Sequence, residues 1–512
     1  MIQTNKLSVK KGSLAFIDKK DLILLSIIFV ITLPFLFYFK IKYDFPPGYA
    51  GFQAQISEVL QTTDFKFPDF IPYYGSGGFP FAYPPLAFYI MAIAMKVFGI
   101  GLFSYLKYAP NFFLLLTFIF FYLLSKRLLG SRIKAFIATL FLASSSGVIG
   151  YHYPSEGVTR GLAFLFLVAS LFFLSEGIHK RRHFILSAVV WGLCALTHPV
   201  YAVIGSLSAF VFIVFLYDKH ISKKISLFIN YFFIGFLIIG PWLFIVISRH
   251  GLTPLTSAFS THGTVSFITH LTNFENFYKL FESVIIPSHE TVVLTGLSLA
   301  GVVYYLLRAD IFLPFWFVST AVLGGMEGQR FVALVASLVS ADMLVRIINP
   351  KGIQTGKRIV KVVCLTVVLV ISVVYITNRM TKITAYKPYM DNESIKGLGD
   401  WFMDNAKDSN YLLLSVSEGE HEWMPYFIKA NPVVLPFGAE WKGDYAQQGV
   451  MLQKVMSCAR EKNLMCYKNL AIDTGLKYDY LIIRDDYKTL GISADNNFKL
   501  VFEDSSYSVW EN

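Results

Sequence analysis

The stretch PPLAFYIMAIAMKVFGIGLF, residues 84 to 103, decides the fold of this chain. It is apolar over twenty residues, about the number needed to cross a ~30 Å hydrocarbon core, yet it contains Lys96 and a break at Gly99 and Gly101. If this segment crosses a membrane, every later apolar segment runs in the opposite direction. The charges along the rest of the chain distinguish these two topologies.

Composition indicates the class of protein. The 512 residues are 55% hydrophobic, 17% aromatic and only 15% charged, and the mean hydropathy is +0.54. A water-soluble chain so poor in charge could not cover its surface with polar groups. We therefore predict a polytopic α-helical membrane protein, in which the net charge of +11 reflects basic cytoplasmic loops and not nucleic-acid binding.

Apolar segments of spanning length predict about eleven transmembrane helices. The first follows a basic start without a small-residue cleavage site, so we expect a signal anchor and not a removed signal peptide. The predicted spans are residues 22 to 39, 110 to 125, 135 to 150, 160 to 176, 183 to 197, 200 to 217, 226 to 247, 291 to 307, 311 to 325, 331 to 347 and 359 to 377.

The basic clusters favour a surface position for residues 84 to 103. With that segment outside the bilayer, the N-terminus and all basic clusters face the cytoplasm, as the positive-inside rule requires. These clusters are Lys126/Arg127/Arg132/Lys134, Lys180/Arg181/Arg182, Lys219/Lys223/Lys224, Arg308 and Arg346/Lys351/Lys357/Arg358. The C-terminus then lies outside. The alternative has twelve or more spans, with an extra crossing between residues 251 and 290.

The chain divides into two predicted domains. Residues 1–377 form the transmembrane domain, with a long first outer loop at 40–109, and residues 378–512 form a small soluble extracytoplasmic α/β domain. In that tail, NYLLLSVS, NPVVLP, YDYLIIRDD and FKLVFEDSSYSVWEN are typical of strands, and ESIKGLGDWFMDN and AQQGVMLQKVMSCAREKN of helices. Cys458 and Cys466 can form a disulfide there if the tail is extracytoplasmic.

A single carboxylate marks the start of the first outer loop. In KYDFPPGYAGFQAQ, residues 42 to 55, Asp44 follows the first span and precedes Pro46 and Pro47, which restrict the loop to extended geometry. Partial desolvation at the interface would raise the basicity of this carboxylate, so Asp44 is a candidate general base. The alternative is an ordinary interfacial acid. The following GFQAQISEVLQ predicts a short amphipathic helix.

Candidate phosphate ligands lie near the predicted outer ends of the spans. Arg330 and Glu327 occur in LGGMEGQRFVAL, where a guanidinium offers a planar fork of donors to a phosphate. Arg160 is a second candidate of this kind, with Glu156 as the carboxylate expected to neutralise it, and the His198 imidazole could hydrogen-bond a phosphate or sugar. The alternatives for Arg330 are a side chain that extends to the interface or one that pairs with Glu327, and the alternative for His198 is a structural residue that caps a helix.

No cofactor motif is recognisable in the sequence. The chain contains no HExxH, no CxxC and no Walker-type glycine-rich loop, so we predict no cofactor. A divalent ion is left open.

The order of these features resembles the GT-C superfamily of integral-membrane glycosyltransferases. One helix, an outer loop that opens with an acid, YPPLAFYIMAIAMKVFG and then NFFLLLTFIFFYLLSKRLLG are similar to the start of its protein O-mannosyltransferase and aminoarabinose-transferase-like branch. The ALTHP and GGMEGQRF positions and the strand-rich tail are also similar. An oligosaccharyltransferase is disfavoured, because EHEWMPYF is not a WWD-type motif.

The resemblance implies a membrane glycosyltransferase of the cell envelope that uses a polyprenyl-phosphate-linked sugar donor. The acceptor would be a glycan, lipid or protein, and a first-loop carboxylate would act as base. The family pattern has an Asp followed closely by Glu or His in the region where this chain reads GYAGFQ, with Tyr49, Ala50 and Gln53 at those positions. Two other interpretations therefore stay open: a catalytically inactive glycosyltransferase-like subunit, and a lipid-linked glycan carrier or flippase.

Overall fold

The computed structural model describes residues 17–75, 77–178, 180–261, 292–324, 328–348, 389–390, 392–462, 464–484 and 498–512, together with Thr366, Val370 and Val374. Its helices are, in chain order, α1 (Lys19–Lys42), α2 (Gly51–Thr62), α3 (Leu86–Lys96), α4 (Leu102–Leu129), α5 (Arg132–Ser144), α6 (Ser146–His152), α7 (Gly157–Gly177), α8 (Arg181–Ala195), α9 (Pro199–Leu216), α10 (Ile221–His250), α11 (Thr253–Thr261), α12 (Val292–Leu307), α13 (Phe312–Gly324), α14 (Gln329–Ile348), α15 (Asn392–Asn405), α16 (Glu418–Ile428), α17 (Tyr445–Glu461) and α18 (Leu464–Thr474).

The strands are β1 (Phe70–Ile71), β2 (Phe79–Pro80), β3 (Asn410–Leu414), β4 (Asn431–Pro432), β5 (Tyr480–Arg484), β6 (Lys499–Glu503) and β7 (Tyr507–Glu511). The chain divides into two compact units, each made of three segments. The first unit is Met1–Lys42, Tyr108–Trp242 and Thr264–Tyr386, and the second unit is Tyr43–Lys107, Leu243–Gly263 and Lys387–Asn512.

The first unit is helical. Among the described residues, α1, α4, α7, α9, α10 and α14 are long and apolar enough to cross a membrane, and α5 with α6 makes a seventh candidate that bends by 57°. Shorter apolar helices cover Leu294–Leu307 and Phe312–Val322, where two more spans are predicted. The predicted span at 359 to 377 and the alternative crossing within 251 to 290 lie largely outside the described residues.

The stretch at 84 to 103 is broken. Helix α3 covers only Leu86–Lys96, and α4 begins at Leu102 after Gly99, whose φ is +66°. Eleven residues of α-helix extend about 16 Å, well short of a ~30 Å hydrocarbon core. Helix α3 by itself is therefore too short to span, and the non-crossing of residues 84 to 103 stays a prediction.

Two helices form the centre of the first unit. Helix α7 packs against α8 and α9, while α14 packs against α5, α6, α12 and α13. In contrast, α1 and α10 expose most of their apolar side chains, which a bilayer would cover.

Ion pairs join the helices of the first unit at the predicted cytoplasmic ends. Lys126 Nζ lies 2.6 Å from Asp21 Oδ2 and Arg127 Nε lies 3.1 Å from Glu176 Oε1. On α14, Asp342 accepts from Lys134 of α5 at 2.5 Å. These basic residues therefore neutralise buried carboxylates.

The second unit contains the tail and most of the first outer loop. Its mixed five-stranded sheet has the order β4-β3-β5-β7-β6. Strand β3 runs parallel to β4 and β5, and β7 runs antiparallel to β5 and β6. The predicted α/β tail and the predicted first-loop helix, α2, are thus confirmed.

A disulfide between Cys458 and Cys466 joins α17 to α18, with the two Cα atoms 5.6 Å apart. It lies beside the apolar cluster that α17 forms with the sheet, which includes Leu412, Val455 and Ile483. The third cysteine of the described residues, Cys194, is a buried free thiol. The pairing that the sequence allowed is therefore present.

Candidate functional site

The candidate site in the first unit is built by the turn between α6 and α7 and by the first turn of α14. Helix α6 starts at a Ser145 cap, where the hydroxyl accepts from the Val148 amide at 3.3 Å. A Cβ on Gly157 would lie 2.1 Å from the His152 carbonyl oxygen, so only glycine allows this turn. The sequence SGVIGYHYPSEG therefore folds back and presents Tyr151 beside α14.

Arg330 is the most buried candidate residue. It is the second residue of α14 and its side chain is fully buried. Its guanidinium carbon lies 4.4 Å from the ring centroid of Tyr151, 5.2 Å from that of Tyr201 and 4.9 Å from that of Phe331. These distances are within the range of cation–π attraction, so the aromatic rings orient the guanidinium.

The guanidinium groups of Arg160 and Arg330 both lie close to the ring of Tyr151. Its guanidinium carbon lies 5.9 Å from the Tyr151 ring centroid, and both Arg160 and Tyr151 are partly exposed. Two arginines that are 170 positions apart in the sequence are thus brought to one ring. The site has an accessible side at Tyr151 and Arg160 and a buried side at Arg330.

Tyr201 and His152 support this arrangement. His152 Nδ1 lies 2.6 Å from the Val148 carbonyl oxygen, which only accepts, so Nδ1 carries the proton of a neutral ring. His152 Nε2 therefore accepts from the Tyr201 hydroxyl at 2.7 Å. Both residues are fully buried, and the bond fixes the face of Tyr201 that Arg330 contacts.

His198 also belongs to this group. It occupies the N-cap position of α9, before Pro199, but its side chain makes no capping hydrogen bond. Its ring centroid lies 5.1 Å from that of Tyr201, in an edge arrangement. The His198 side chain therefore does not cap α9, in contrast to the alternative given by the sequence. We call Tyr151, His152, Arg160, His198, Tyr201 and Arg330 the basic–aromatic cluster.

Glu327 lies outside the described residues. Asp44 belongs to the second unit, where it is exposed, so the described protein atoms do not supply the desolvation that the sequence suggested. Lys107 is its electrostatic partner.

The other carboxylates of the first outer loop are held in ion pairs. Glu58 pairs with Lys429 at 2.9 Å, Asp64 with Lys96 at 2.6 Å and Asp69 with Arg249 at 2.7 Å. Within the described part of the chain, Asp44 forms no such pair. Its electrostatic interaction is the one with Lys107.

The basic–aromatic cluster is suited to an anion. Two guanidinium groups offer planar forks of donors, and the first turns of α7 and α14 carry the positive ends of two helix dipoles. Partial burial strengthens such interactions, because solvent screens them less. Among the described residues, no group of three or more His, Cys, Asp or Glu side chains is placed to hold a metal ion.

Sequence reasoning missed the aromatic members of the cluster. Tyr151, Tyr201 and His152 lie in apolar helices, where such residues are ordinarily packing residues. The available signal was their spacing from predicted span ends: Tyr201 is three residues after His198, and Tyr151 precedes the YPSEG turn. Only the packing of α14 against the neighbouring helices shows which of the many tyrosines contact Arg330.

Comparison with known proteins gives the fold. The profile of the dolichyl-phosphate-mannose-protein mannosyltransferase family matches residues 82–245. No curated protein matches the chain in sequence.

Three solved structures are similar over most of the chain. The archaeal oligosaccharyltransferase AglB from Archaeoglobus fulgidus, in complex with an inhibitory peptide and a dolichol-phosphate, has a TM-score of 0.60 and 14% identity, covering 92% of this chain and 70% of that one. ArnT from Cupriavidus metallidurans, bound to undecaprenyl phosphate, has a TM-score of 0.56 and 14% identity, with coverages of 96% and 97%. The arabinofuranosyltransferase AftD from Mycobacteria has a TM-score of 0.58 and 13% identity, with coverages of 95% and 39%.

Proposed function

Because the chain has the fold of the GT-C glycosyltransferases, we propose that it is a membrane glycosyltransferase. It transfers a sugar from a polyprenyl-phosphate donor to an acceptor hydroxyl on the outer face of the membrane. The observation that carries this proposal is that Arg330 and Arg160 both lie close to the Tyr151 ring. Solved structures with this fold include two with a polyprenyl phosphate bound.

The basic–aromatic cluster would hold the phosphate of the donor. Arg330 provides a fork of donors that its three rings hold in place, and Arg160 provides a second from the accessible side. Both stabilise the charge that accumulates on the phosphate as the sugar leaves. His198, which packs against Tyr201, would contribute a further donor.

Asp44 would act as general base. The acceptor oxygen attacks the anomeric carbon, the bond from that carbon to the phosphate oxygen breaks, and the acceptor proton passes to the Asp44 carboxylate. The polyprenyl phosphate leaves with the bonding electrons. Such a base typically contributes about 10²–10⁴-fold to the rate, and stabilisation of the leaving phosphate supplies much of the rest.

Two features support an extracytoplasmic tail and a cytoplasmic N-terminus. The Cys458–Cys466 disulfide is of the kind that persists in oxidising compartments. The basic residues of the first unit, such as Lys126, Arg127 and Lys134, lie at helix ends away from α14's first turn.

The direct test measures transfer by the purified full-length protein in lipid nanodiscs, with a panel of polyprenyl-phosphate sugars. We expect one donor to be converted to polyprenyl phosphate only when an acceptor is present. Asp44→Asn should abolish this conversion while leaving membrane insertion unchanged. Asp64→Asn is the matched control, because Asp64 already pairs with Lys96. Full turnover by Asp44→Asn would disprove the assignment of the base.

A catalytically inactive glycosyltransferase-like subunit is the second candidate. Tyr49, Ala50 and Gln53 occupy positions where the family pattern has an acid, and this observation favours it. Such a protein would bind the lipid phosphate through the same cluster but convert no donor in the panel. A carrier or flippase would instead move the lipid-linked glycan between leaflets without breaking the sugar–phosphate bond.

A further inference from the structure

We infer that helix α16 of the tail positions the first outer loop, with Glu422 and Trp423 as the positioning residues. The expected effect on catalysis rests on the proposed function, because the loop carries Asp44. The structural part does not depend on it. All the residues involved belong to the second unit.

Glu422 supplies the missing cap of α2. Its Oε1 accepts from the Phe52 amide at 2.6 Å and its Oε2 from the Gly51 amide at 2.9 Å, and its side chain is 1% exposed. These amides belong to the first turn of α2, where a helix has no internal acceptors. The N-cap residue, Ala50, has no side-chain acceptor. A carboxylate 371 residues further along the chain thus caps this helix.

Trp423 holds the segment between Asp44 and α2. Its indole Nε1 donates to the Gly48 carbonyl at 3.0 Å, and its ring packs edge-on against Phe45 with the centroids 5.0 Å apart. Phe45 directly follows Asp44 in the chain. The backbone on the C-terminal side of Asp44 is therefore fixed by one residue of the tail.

The fit between α16 and α2 requires a glycine. A Cβ on Gly51 would lie 2.7 Å from both the Glu422 carbonyl oxygen and the Trp423 Cα. Beyond the other end of α16, Lys429 donates to Glu58 at 2.9 Å and to Gln55 at 3.0 Å. Helix α16 therefore clamps α2 at two points.

The packing of α16 on α2 provides a structural role for the segment GYAGFQ, which departs from the family pattern. Ala50 is fully buried, and Gly51 allows the close approach of α16. Tyr49 stacks on Tyr389 with the centroids 5.5 Å apart. Tyr49, at a position where an acid is expected, thus packs on Tyr389 of the tail, while the adjoining Gly51 and Phe52 dock the first loop onto Glu422 of the segment EHEWMPYF.

The test combines backbone hydrogen exchange with kinetics on the full-length protein. In Glu422→Gln an amide NH₂ replaces one of the two acceptor oxygens, so we expect amides 48 to 53 to exchange at least 10-fold faster. Misplacing a catalytic group by about 1 Å can cost on the order of 10²-fold in rate. We therefore expect kcat to fall 10- to 100-fold while the KM for the lipid donor stays the same.

Glu418→Gln is the control on the same helix, because Glu418 is bonded to Gln453 and not to α2. Trp423→Phe and Gly51→Ala provide independent disruptions if Glu422→Gln does not fold. If the backbone amides of residues 48 to 53 exchange at the wild-type rate in every variant that folds, the inference is overturned. If exchange rises but kcat does not change, the clamp exists without a positioning role, and this outcome also overturns it.

The failure of the proposed function has a different signature. In that case Asp44→Asn has full turnover, or the wild type converts no donor, while exchange at 48 to 53 still responds to Glu422→Gln. The exchange measurement thus tests the clamp, and the Asp44→Asn rate tests the base.

Discussion

The guanidinium of Arg330 lies over the ring of Tyr151, with 4.4 Å between Cζ and the ring centroid. A cation in this position is attracted to the negative face of the aromatic system. The tyrosine thereby orients an arginine that is buried in the first turn of α14. A phosphate bound there would interact with a pre-oriented fork of donors.

Arg330 should control donor binding. Charge-assisted hydrogen bonds are worth about 1.5–3 kcal/mol, so Arg330→Met should raise the KM for a polyprenyl-phosphate donor about 10- to 100-fold. Arg330→Lys should raise it about 10-fold, because lysine keeps the charge but loses the planar fork. Arg308→Met is the control, since exposed Arg308 also lies against a tyrosine ring. An unchanged KM in Arg330→Met would contradict the phosphate role.

Gly147 should control the position of Arg330 without touching a ligand. A Cβ at this glycine would lie 3.1 Å from Gln329 Cβ and 3.3 Å from the Arg330 amide nitrogen. We expect Gly147→Ala to shift the first turn of α14 by a few tenths of an ångström and to raise the donor KM about 3- to 10-fold. Gly150→Ala, on the same helix with open space around it, should have no effect. Equal KM values in the two variants would refute this.

His421 should make the stability of the protein depend on pH. Burial lowers the pKa of His421 to about 4, and its Nε2 donates to the Ser415 carbonyl. The unfolded chain binds a proton below about pH 6.5, whereas the folded chain does not until about pH 4. The free energy of unfolding should therefore fall as the pH drops from 6.5 to 4, by on the order of 3 kcal/mol.

The thermal unfolding midpoint of the full-length protein, measured across this pH range, checks the prediction. His421→Gln should remove the excess pH dependence, because glutamine keeps a donor and does not titrate there. His220→Gln is the matched control at an exposed position. If the unfolding midpoint of His421→Gln depends on pH as steeply as that of the wild type, His421 is not the source of the pH dependence.

The disulfide should report the sidedness of the tail. In intact cells, we expect Cys458 and Cys466 to resist a membrane-impermeant maleimide until an impermeant phosphine reductant is added, and to react with it afterwards. Cys458→Ser/Cys466→Ser serves as the control for labelling elsewhere in the chain. Labelling that requires permeabilised cells would place the tail on the cytoplasmic side.

Local patterns predicted much of the fold. The spans at α1, α4, α7, α9, α10 and α14 follow from runs of apolar residues, and strands β3, β5, β6 and β7 follow from short β-branched and aromatic runs between turns. Helices α16 and α18 were missed; α16 packs against α2, far earlier in the chain, whereas α18 packs against the neighbouring α17. Arg330, Arg160 and His198 were selected as site candidates because polar residues at span ends are conspicuous, and their role stays a prediction.

The sequence by itself determined that this chain crosses a membrane, which segments are long enough to do so, and which charged residues lie at their ends. These properties depend on the length and polarity of contiguous segments. Tertiary structure alone decided that Arg160 and Arg330 share Tyr151, and that Glu422 caps α2. Both arrangements join residues 170 or more positions apart, and such contacts depend on how helices pack, which no local pattern specifies.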